Sequence, residues 1–362
     1  MINTTDAKKV IILGAGASAA DGAPLQAGLF RKYAEIIQRP KSITPSSEGE
    51  LRTFFDYLWG VDIDSTNLAT AHFPTFEEVL GLLEMANARG EFFKGFGGLH
   101  TEATRAQEMR AHLVQLIALV LDEALTHTKD THTSLITNMK KLGWMDKASF
   151  LSFNYDLLVD NSLHASLGGD PDYAVSFRSG SSPTGSSHPV LLKLHGSLNW
   201  LFCPTCNQLD YYPLQKIVAT IVREPWQMTC DTCKEPRVPI LIPPTFFKVM
   251  SNFYLQQIWH NAEKTLRDAN HLIFCGYSFP DADIHFKYLL KRAEINQPEH
   301  SSNYLEVFII NEHPGKSVQQ RNDEKDRYLR FFRNKGLVHW TKLSFRDFAD
   351  NPSAYADPNN WK

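Results

Sequence analysis

The chain has 362 residues, 43% hydrophobic and 21% charged, a composition that excludes an intrinsically disordered polymer and a collagen-like fibre. Thirty-seven Lys and Arg stand against 40 Asp and Glu, a formal charge of −3, without the basic excess of a dedicated nucleic-acid binder. Met1–Val10 lacks the basic start and apolar stretch of a secretory leader, and the densest apolar run, Leu116–Leu121, ends at Asp122, far short of the roughly 18 residues a membrane span needs. A cytoplasmic protein is expected, with no membrane partner and no direct nucleic-acid partner.

In chain order, Val10-Ile11-Ile12-Leu13-Gly14 reads as a buried parallel strand stopped by glycine. A helix over 25–38 follows, with Leu25, Leu29, Phe30, Tyr33, Ile36 and Ile37 on one face. Residues 40–147 read as a helical insertion. Phe76, Val79, Leu80 and Leu83 recur at helical spacing there, as do Val114, Ile117, Leu121 and Leu125, with a break at Gly95–Gly98. Strand patterns resume at Phe150–Phe153 and Val190–Leu194, separated by a Gly/Ser/Pro-rich loop at Ser179–Ser187. Phe253–Asp268 reads as an amphipathic helix, Leu272–Cys275 and Val307–Ile310 as buried strands, and Asp283–Glu294 as the helix between them. Arg327–Lys335 reads as a basic, solvated helix, Val338–Leu343 as an edge strand and residues 350–362 as a tail. The expectation is an α/β fold: a doubly wound parallel, Rossmann-like sheet from residues 8–39 and 148–345, with the insertion at 40–147 and a small zinc module at 200–240.

Three groups of residues carry chemistry. Gly14-x-Gly16-x-x-Ala19 after a strand fits a dinucleotide fingerprint, in which glycines let backbone N–H groups approach a pyrophosphate. The acidic strand end expected about 20 residues later is missing, so a turn that needs glycine only for packing is the alternative. Cys203-x-x-Cys206 and Cys230-x-x-Cys233 stand 23 residues apart, and each pair can clamp one edge of a tetrahedral zinc. A closed shell of four thiolates leaves no place for water, so the metal is expected to be structural; redox dithiols are the rival reading. Cys275, inside an apolar strand, reads as a core residue. Asn154 and Asp156 end one strand and His195 ends the next. Such a set suits cleavage of an N-glycosidic bond through an oxocarbenium-like sugar, with a base near the ribose hydroxyls or the attacking water. The plainer alternatives are a strand-capping histidine and an Asx turn.

Taken together, these motifs resemble the sirtuin (Sir2) superfamily. Gly14–Ser18 is similar to its GAGxS loop, Gly22-Ala23-Pro24 to GIP, Phe153–Asp156 to QNID and Leu194-His195-Gly196 to LHG. The CxxC pairs follow, then Gly276-Tyr277-Ser278, similar to GTS, and Ile310-Asn311. The resemblance spans roughly residues 8–35 and 148–315. It implies NAD as ligand and substrate. By position, Gly14, Ala15, Gly16 and Ser18, with Pro24 beside them, hold the pyrophosphate. Asn154 and Asp156 face the nicotinamide ribose and carboxamide, His195 is the base, and Gly276, Ser278 and Asn311 hold the adenosine half.

Leu25-Gln26-Ala27 replaces the Asp-Phe-Arg of deacylases, and Phe153 replaces the Gln of QNID. The Gly276–Asp281 run is similar to the Sir2-like branch of bacterial anti-phage systems. That resemblance implies a glycohydrolase that converts NAD and water to ADP-ribose and nicotinamide. It further implies a defence effector that forms a homo-oligomer and awaits a separate sensor or activator subunit. The alternatives are an NAD-dependent deacylase or ADP-ribosyltransferase, and a non-catalytic sensor of NAD or ADP-ribose.

Overall fold

The computed structural model of the chain describes residues 6–39, 48–68, 70–91, 93, 102–178, 189–223, 229–242, 252–296, 305–313 and 315–362. Gly95–Gly98 and Ser179–Ser187 lie outside them. Strand β1 (Lys9–Leu13) leads into a short helix α1 (Ala15–Ala20) and then α2 (Leu29–Ile37). The helix predicted from residue 25 starts later: a 3-10 turn at Gln26–Gly28 precedes it, and Leu25 is 52% exposed rather than on the buried face. Four more helices follow, α3 (Glu48–Trp59), α4 (Phe76–Arg89), α5 (Glu102–Ala124) and α6 (Thr131–Lys141).

The alternating part resumes with β2 (Ala148–Ser152), α7 (Leu158–Leu167) and β3 (Leu191–Lys193). Next come β4 (Gly196–Cys203), β5 (Gln208–Tyr211), α8 (Ile217–Arg223) and β6 (Val238–Leu241). The chain continues through α9 (Phe253–Arg267), β7 (His271–Cys275), α10 (Ile284–Ile295) and β8 (Glu306–Ile310). It closes with α11 (Val318–Phe331), β9 (Val338–Trp340) and α12 (Phe345–Asp350). The predicted basic helix is the end of α11, which stops before Lys335. Asn252 caps α9 through its side chain, and Ser317 with Gln320 forms a reciprocal cap on α11.

Six strands form one sheet in the order β3-β2-β1-β7-β8-β9, every pair parallel. Leu13, at the end of β1, stands opposite Ser152 on one side and Cys275 on the other. The apolar runs of β1 and β7 are buried throughout, as strands covered on both faces must be. Chain order reverses between β1 and β7, and a doubly wound sheet opens its ligand crevice outside the strand ends at such a point.

A second sheet, β5-β4-β6, is antiparallel and carries the cysteine pairs. The insertion packs on this ribbon: Leu113, Leu116 and Val120 of α5 share one hydrophobic core with Leu201 of β4, Val218 of α8 and Leu241 of β6. The parallel sheet has its own core, built around Ile11, Phe150, Leu192 and Phe274. A second correction concerns residues 350–362, expected as a tail. They dock on the sheet: Tyr355 is fully buried, its hydroxyl 2.6 Å from His271 Nδ1, and Trp361 stacks on His339 at 3.9 Å.

Candidate functional site

The carboxyl ends of β1, β2, β3, β7 and β8 open into a cleft of about 370 Å³. Gly14, Ala15, Gly16, Ser18, Pro24, Asn154, Asp156, His195, Gly276, Ser278 and Asn311 all line it. The eleven candidate residues, spread over nearly 300 positions of sequence, therefore meet in one place. The opposite wall comes from the insertion, which contributes Glu77 of α4 and Ile117 and Leu121 of α5. Sequence reasoning placed Ile117 and Leu121 on a helix's apolar face and assigned none of the three to the site. Nor did it single out Tyr155, Asp283, Lys316 or Glu324, which also line the cleft.

The glycine turn does more than clear a path for a ligand. Gly16 N–H donates to Gly276 O at 2.8 Å, and Gly14 N–H donates to Cys275 O at 3.0 Å. A Cβ on Gly14 would come within 2.6 Å of Gly276 O. Gly276 has φ +60, and a Cβ there would lie 2.1 Å from Ala17 N. The turns after β1 and β7 thus interlock backbone to backbone, which only glycine allows. The packing alternative is fulfilled at these positions, and the turn still lines the cleft.

A short polar chain runs along the sheet side. Asn154 Nδ2 donates to Gly14 O at 2.8 Å and to Ser18 Oγ at 2.7 Å. Because Gly14 O can only accept, the orientation of the Asn154 amide is set, both its N–H groups are used, and Oδ1 is its remaining polar atom. Ser18 Oγ in turn donates to Asp156 Oδ2 at 2.6 Å, while Asp156 Oδ1 accepts from Leu158 N–H at 3.1 Å. The Asx turn is therefore present, and the same carboxylate also anchors Ser18. Beneath it, the fully buried Lys193 donates to Asp156 O and, at 3.0 Å, to Asp160 Oδ2; Tyr173 OH donates to Asp160 Oδ1 at 2.7 Å. Burial and the Asp160 charge raise the Tyr173 phenol far above its ordinary pKa.

His195 is 5% exposed, with its ring edge-on to Phe153 at 5.1 Å and near Tyr155 at 6.2 Å. Gly196 next to it has φ +84, and a Cβ there would strike Ile240 O at 1.9 Å; the sharp turn delivers His195 to the cleft and starts β4. At the other end, Asn311 Nδ2 donates to Glu324 Oε2 at 3.0 Å, and Lys316 Nζ donates to the same oxygen at 2.8 Å. Arg327 Nε donates to Ser278 O at 3.0 Å, so the basic face of α11 braces the cleft.

The four cysteine sulfurs converge within 4.8 Å of one another. Cys203 and Cys233 are 3.5 Å apart, Cys206 and Cys230 3.9 Å. A tetrahedral zinc with sulfurs at about 2.3 Å sets them about 3.8 Å apart, so the donor set fits the metal. The close contacts cross between the two CxxC pairs, as a shared centre requires and as two separate dithiols do not. Arg178 Nη1 donates to Cys230 Sγ at 3.0 Å, an outer partner suited to a thiolate ligand. The Cys233 backbone N–H, with help from Arg178, lowers the Cys230 thiol to about 5. Cys275 is fully buried, as expected of a core residue.

A doubly wound sheet with a polar cluster at its switch point defines the α/β class whose ligands bind across the strand ends. Within that class the chain belongs to the SIR2-like domain family, whose model matches residues 148–338. Among solved structures it is similar to a Sir2 homologue–NAD complex, at 14% identity over 96% of this chain and 88% of that one, with a TM-score of 0.44. It is also similar to a structure of Sir2 with the inhibitor EX-527, 2′-O-acetyl-ADP-ribose and a deacetylated p53 peptide, at 13% identity over 94% and 90%, TM-score 0.39. A third is a structure described for the mechanism and regulation of Sir2 enzymes, at 14% identity over 96% and 91%, TM-score 0.41. No curated protein sequence matches the chain. No helix among the described residues is long and apolar enough to cross a membrane.

Proposed function

We propose that the chain hydrolyses NAD at the nicotinamide N-glycosidic bond, releasing nicotinamide and ADP-ribose. The observation that carries this reading is the chain of hydrogen bonds Asn154–Ser18–Asp156, set in the same cleft as His195. These groups are held before any ligand arrives, and preorganised dipoles stabilise developing charge without reorganising. Asn154 offers Oδ1 as an acceptor for a ribose hydroxyl or a water. His195, in an aromatic surround, serves as base toward the ribose. The interlocked glycine turns and Ser18 form the floor for the pyrophosphate, and Asn311 with Ser278 holds the adenosine half. Zinc, when bound by Cys203, Cys206, Cys230 and Cys233, supplies structure to the ribbon.

The cleft wall favours water over an acylated peptide as the second substrate. Leu25, Gln26 and Ala27 stand in that wall where deacylases carry Asp-Phe-Arg, and the insertion covers it with Ile117, Leu121 and Glu77. The effector role in anti-phage defence, with a homo-oligomer released by a partner subunit, is supported by the Gly276–Asp281 run.

The test is incubation with NAD, with and without an acetyl-lysine peptide, followed by chromatography. Nicotinamide and ADP-ribose are expected without peptide. His195→Ala and Asn154→Ala are each expected to lower the rate by about 10²–10⁴-fold with an unchanged melting curve. Acetyl-ADP-ribose formed only with peptide would overturn the hydrolase in favour of a deacylase.

A further inference from the structure

Glu324 is a carboxylate in the cleft wall, 7% exposed, to which the proposed hydrolysis gives no task. It sits on the buried face of α11, one turn before Tyr328, whose hydroxyl pins the helix by donating to Tyr277 O at 2.7 Å. Both bonds to its carboxylate fall on one oxygen: Asn311 Nδ2 at 3.0 Å and Lys316 Nζ at 2.8 Å meet at Oε2. Among the described residues nothing donates to Oε1, and that atom is not sealed from solvent. Asn311 is oriented in the same sense. Its Nδ2 also donates to Tyr277 O at 3.4 Å, a group that can only accept, so the amide nitrogen is fixed on the protein side and Oδ1 is left over. Glu324 and Asn311 thus turn acceptors, not donors, to whatever binds at this end of the cleft.

The strand order says which part of a dinucleotide lies there. His195 follows β3 and Asn311 follows β8, four strand spacings apart, about 19 Å, so one ribose cannot touch both. The glycine turn after β1 lies between them. A dinucleotide with its pyrophosphate on that turn and its nicotinamide ribose at His195 lays its second ribose over the ends of β7 and β8. Dinucleotide folds ordinarily read the 2′-hydroxyl of that ribose with an acid, and a basic group in its place admits a 2′-phosphate. The acid expected soon after the glycine turn is missing from the sequence; Glu324 brings one in from a helix. Lys316 is basic, but two of its three N–H groups are spent on Glu324 Oε2 and on Asn311 O at 2.8 Å. It holds the acid in place and offers little to a phosphate. A cis-diol supplies the donors that Glu324 Oε1 and Asn311 Oδ1 lack, whereas a phosphate brings further acceptors and like charge.

We propose that Glu324 is a specificity-determining residue: it accepts a hydrogen bond from the free 2′-hydroxyl of the adenosine ribose and shuts out dinucleotides that carry a 2′-phosphate. This rests on the reading of the cleft as an NAD site. Lys316 is the positioning residue that keeps Oε2 occupied and Oε1 available.

The test is a ligand series that needs no turnover. Binding of ADP-ribose and of its 2′-deoxy and 2′-phospho forms, both altered on the adenosine ribose, is measured by calorimetry on the full chain and on Glu324→Gln, with melting curves in parallel. The parent is expected to bind ADP-ribose about 10–10²-fold more tightly than the 2′-deoxy form, the worth of one hydrogen bond to a charged group, and to bind the 2′-phospho form more weakly still. In Glu324→Gln, Asn311 and Lys316 draw the amide oxygen to the place of Oε2, so an NH₂ donor replaces the acceptor. The 2′-phospho form is then expected to gain about 10-fold or more on ADP-ribose. A packing role alone would weaken all three ligands alike. Equal binding of the three by the parent, or the parental preference carried unchanged into a folded Glu324→Gln, overturns the assignment of Glu324 alone. A parent that shows the preference yet leaves NAD intact overturns the hydrolase and leaves Glu324 standing. A parent that binds none of the three overturns both.

Discussion

On the sheet side of the cleft, polar groups hold one another. Asn154, Ser18 and Asp156 are joined by bonds of 2.6 and 2.7 Å, and two glycine turns interlock beneath them. On the facing side, Ile117 and Leu121 offer apolar surface, and their position depends on a hydrophobic core shared between the insertion and the ribbon. One wall is specified by hydrogen-bond geometry, the other by packing. The difference separates two kinds of damage. Truncating His195 on the sheet side is expected to spare the fold, whereas a lesion in the ribbon is expected to reach the cleft through the shared core.

The largest expected effect is loss of the metal. Structural zinc binds with an apparent free energy of about 10–16 kcal/mol in small metal-organised folds. Cys203→Ser is expected to drop zinc content from one per chain to none, measured by atomic emission, and to expose residues 200–240 to proteolysis. Unchanged metal content would refute the site.

Next comes the shared core. Leu116 of α5 is fully buried, and Leu116→Ala is expected to cost about 2–5 kcal/mol in denaturant unfolding. If the packed wall shapes the substrate site, the variant raises KM for NAD with little change in kcat. A fall in kcat alone would show that the two walls are not separable in this way.

The smallest effect concerns the far end of the sheet. Burial, with Lys9 and His339 adding, lowers His271 from 6.5 to about 4. The native state therefore holds His271 neutral where the unfolded chain takes up a proton. Stability falls as pH drops from 6.5 towards 4, by about 3 kcal/mol at most, and this contribution is flat above 6.5. His271→Gln is expected to flatten the curve in that window, measured by urea titrations at stepped pH. Activity, read at the opposite end of the strands, keeps its own pH profile.

Much of the sheet side was legible in the chain because its chemistry needs particular residue types at strand ends. Val10–Gly14 announces a buried strand and its stop, and Asn154, Asp156 and His195 follow apolar runs in the same way. The packed side was not. Helical spacing at Val114, Ile117 and Leu121 shows that α5 has an apolar face, but periodicity does not say that the partner is the ribbon. Tyr355 and Trp361 lie in 3-10 turns and a bridge without a repeating pattern, so their docking left no periodic trace.

The interlocked turns at Gly14–Gly16 and Gly276 have a mechanical consequence. With Gly276 backed against Gly16 and Ala17 so closely that no methyl fits, the two halves of the sheet cannot part at their mouth. The cleft is a jaw with one fixed member. Any widening therefore falls to the insertion and the ribbon packed against it, and a clamp between that lobe and the sheet would hold the cleft at one width.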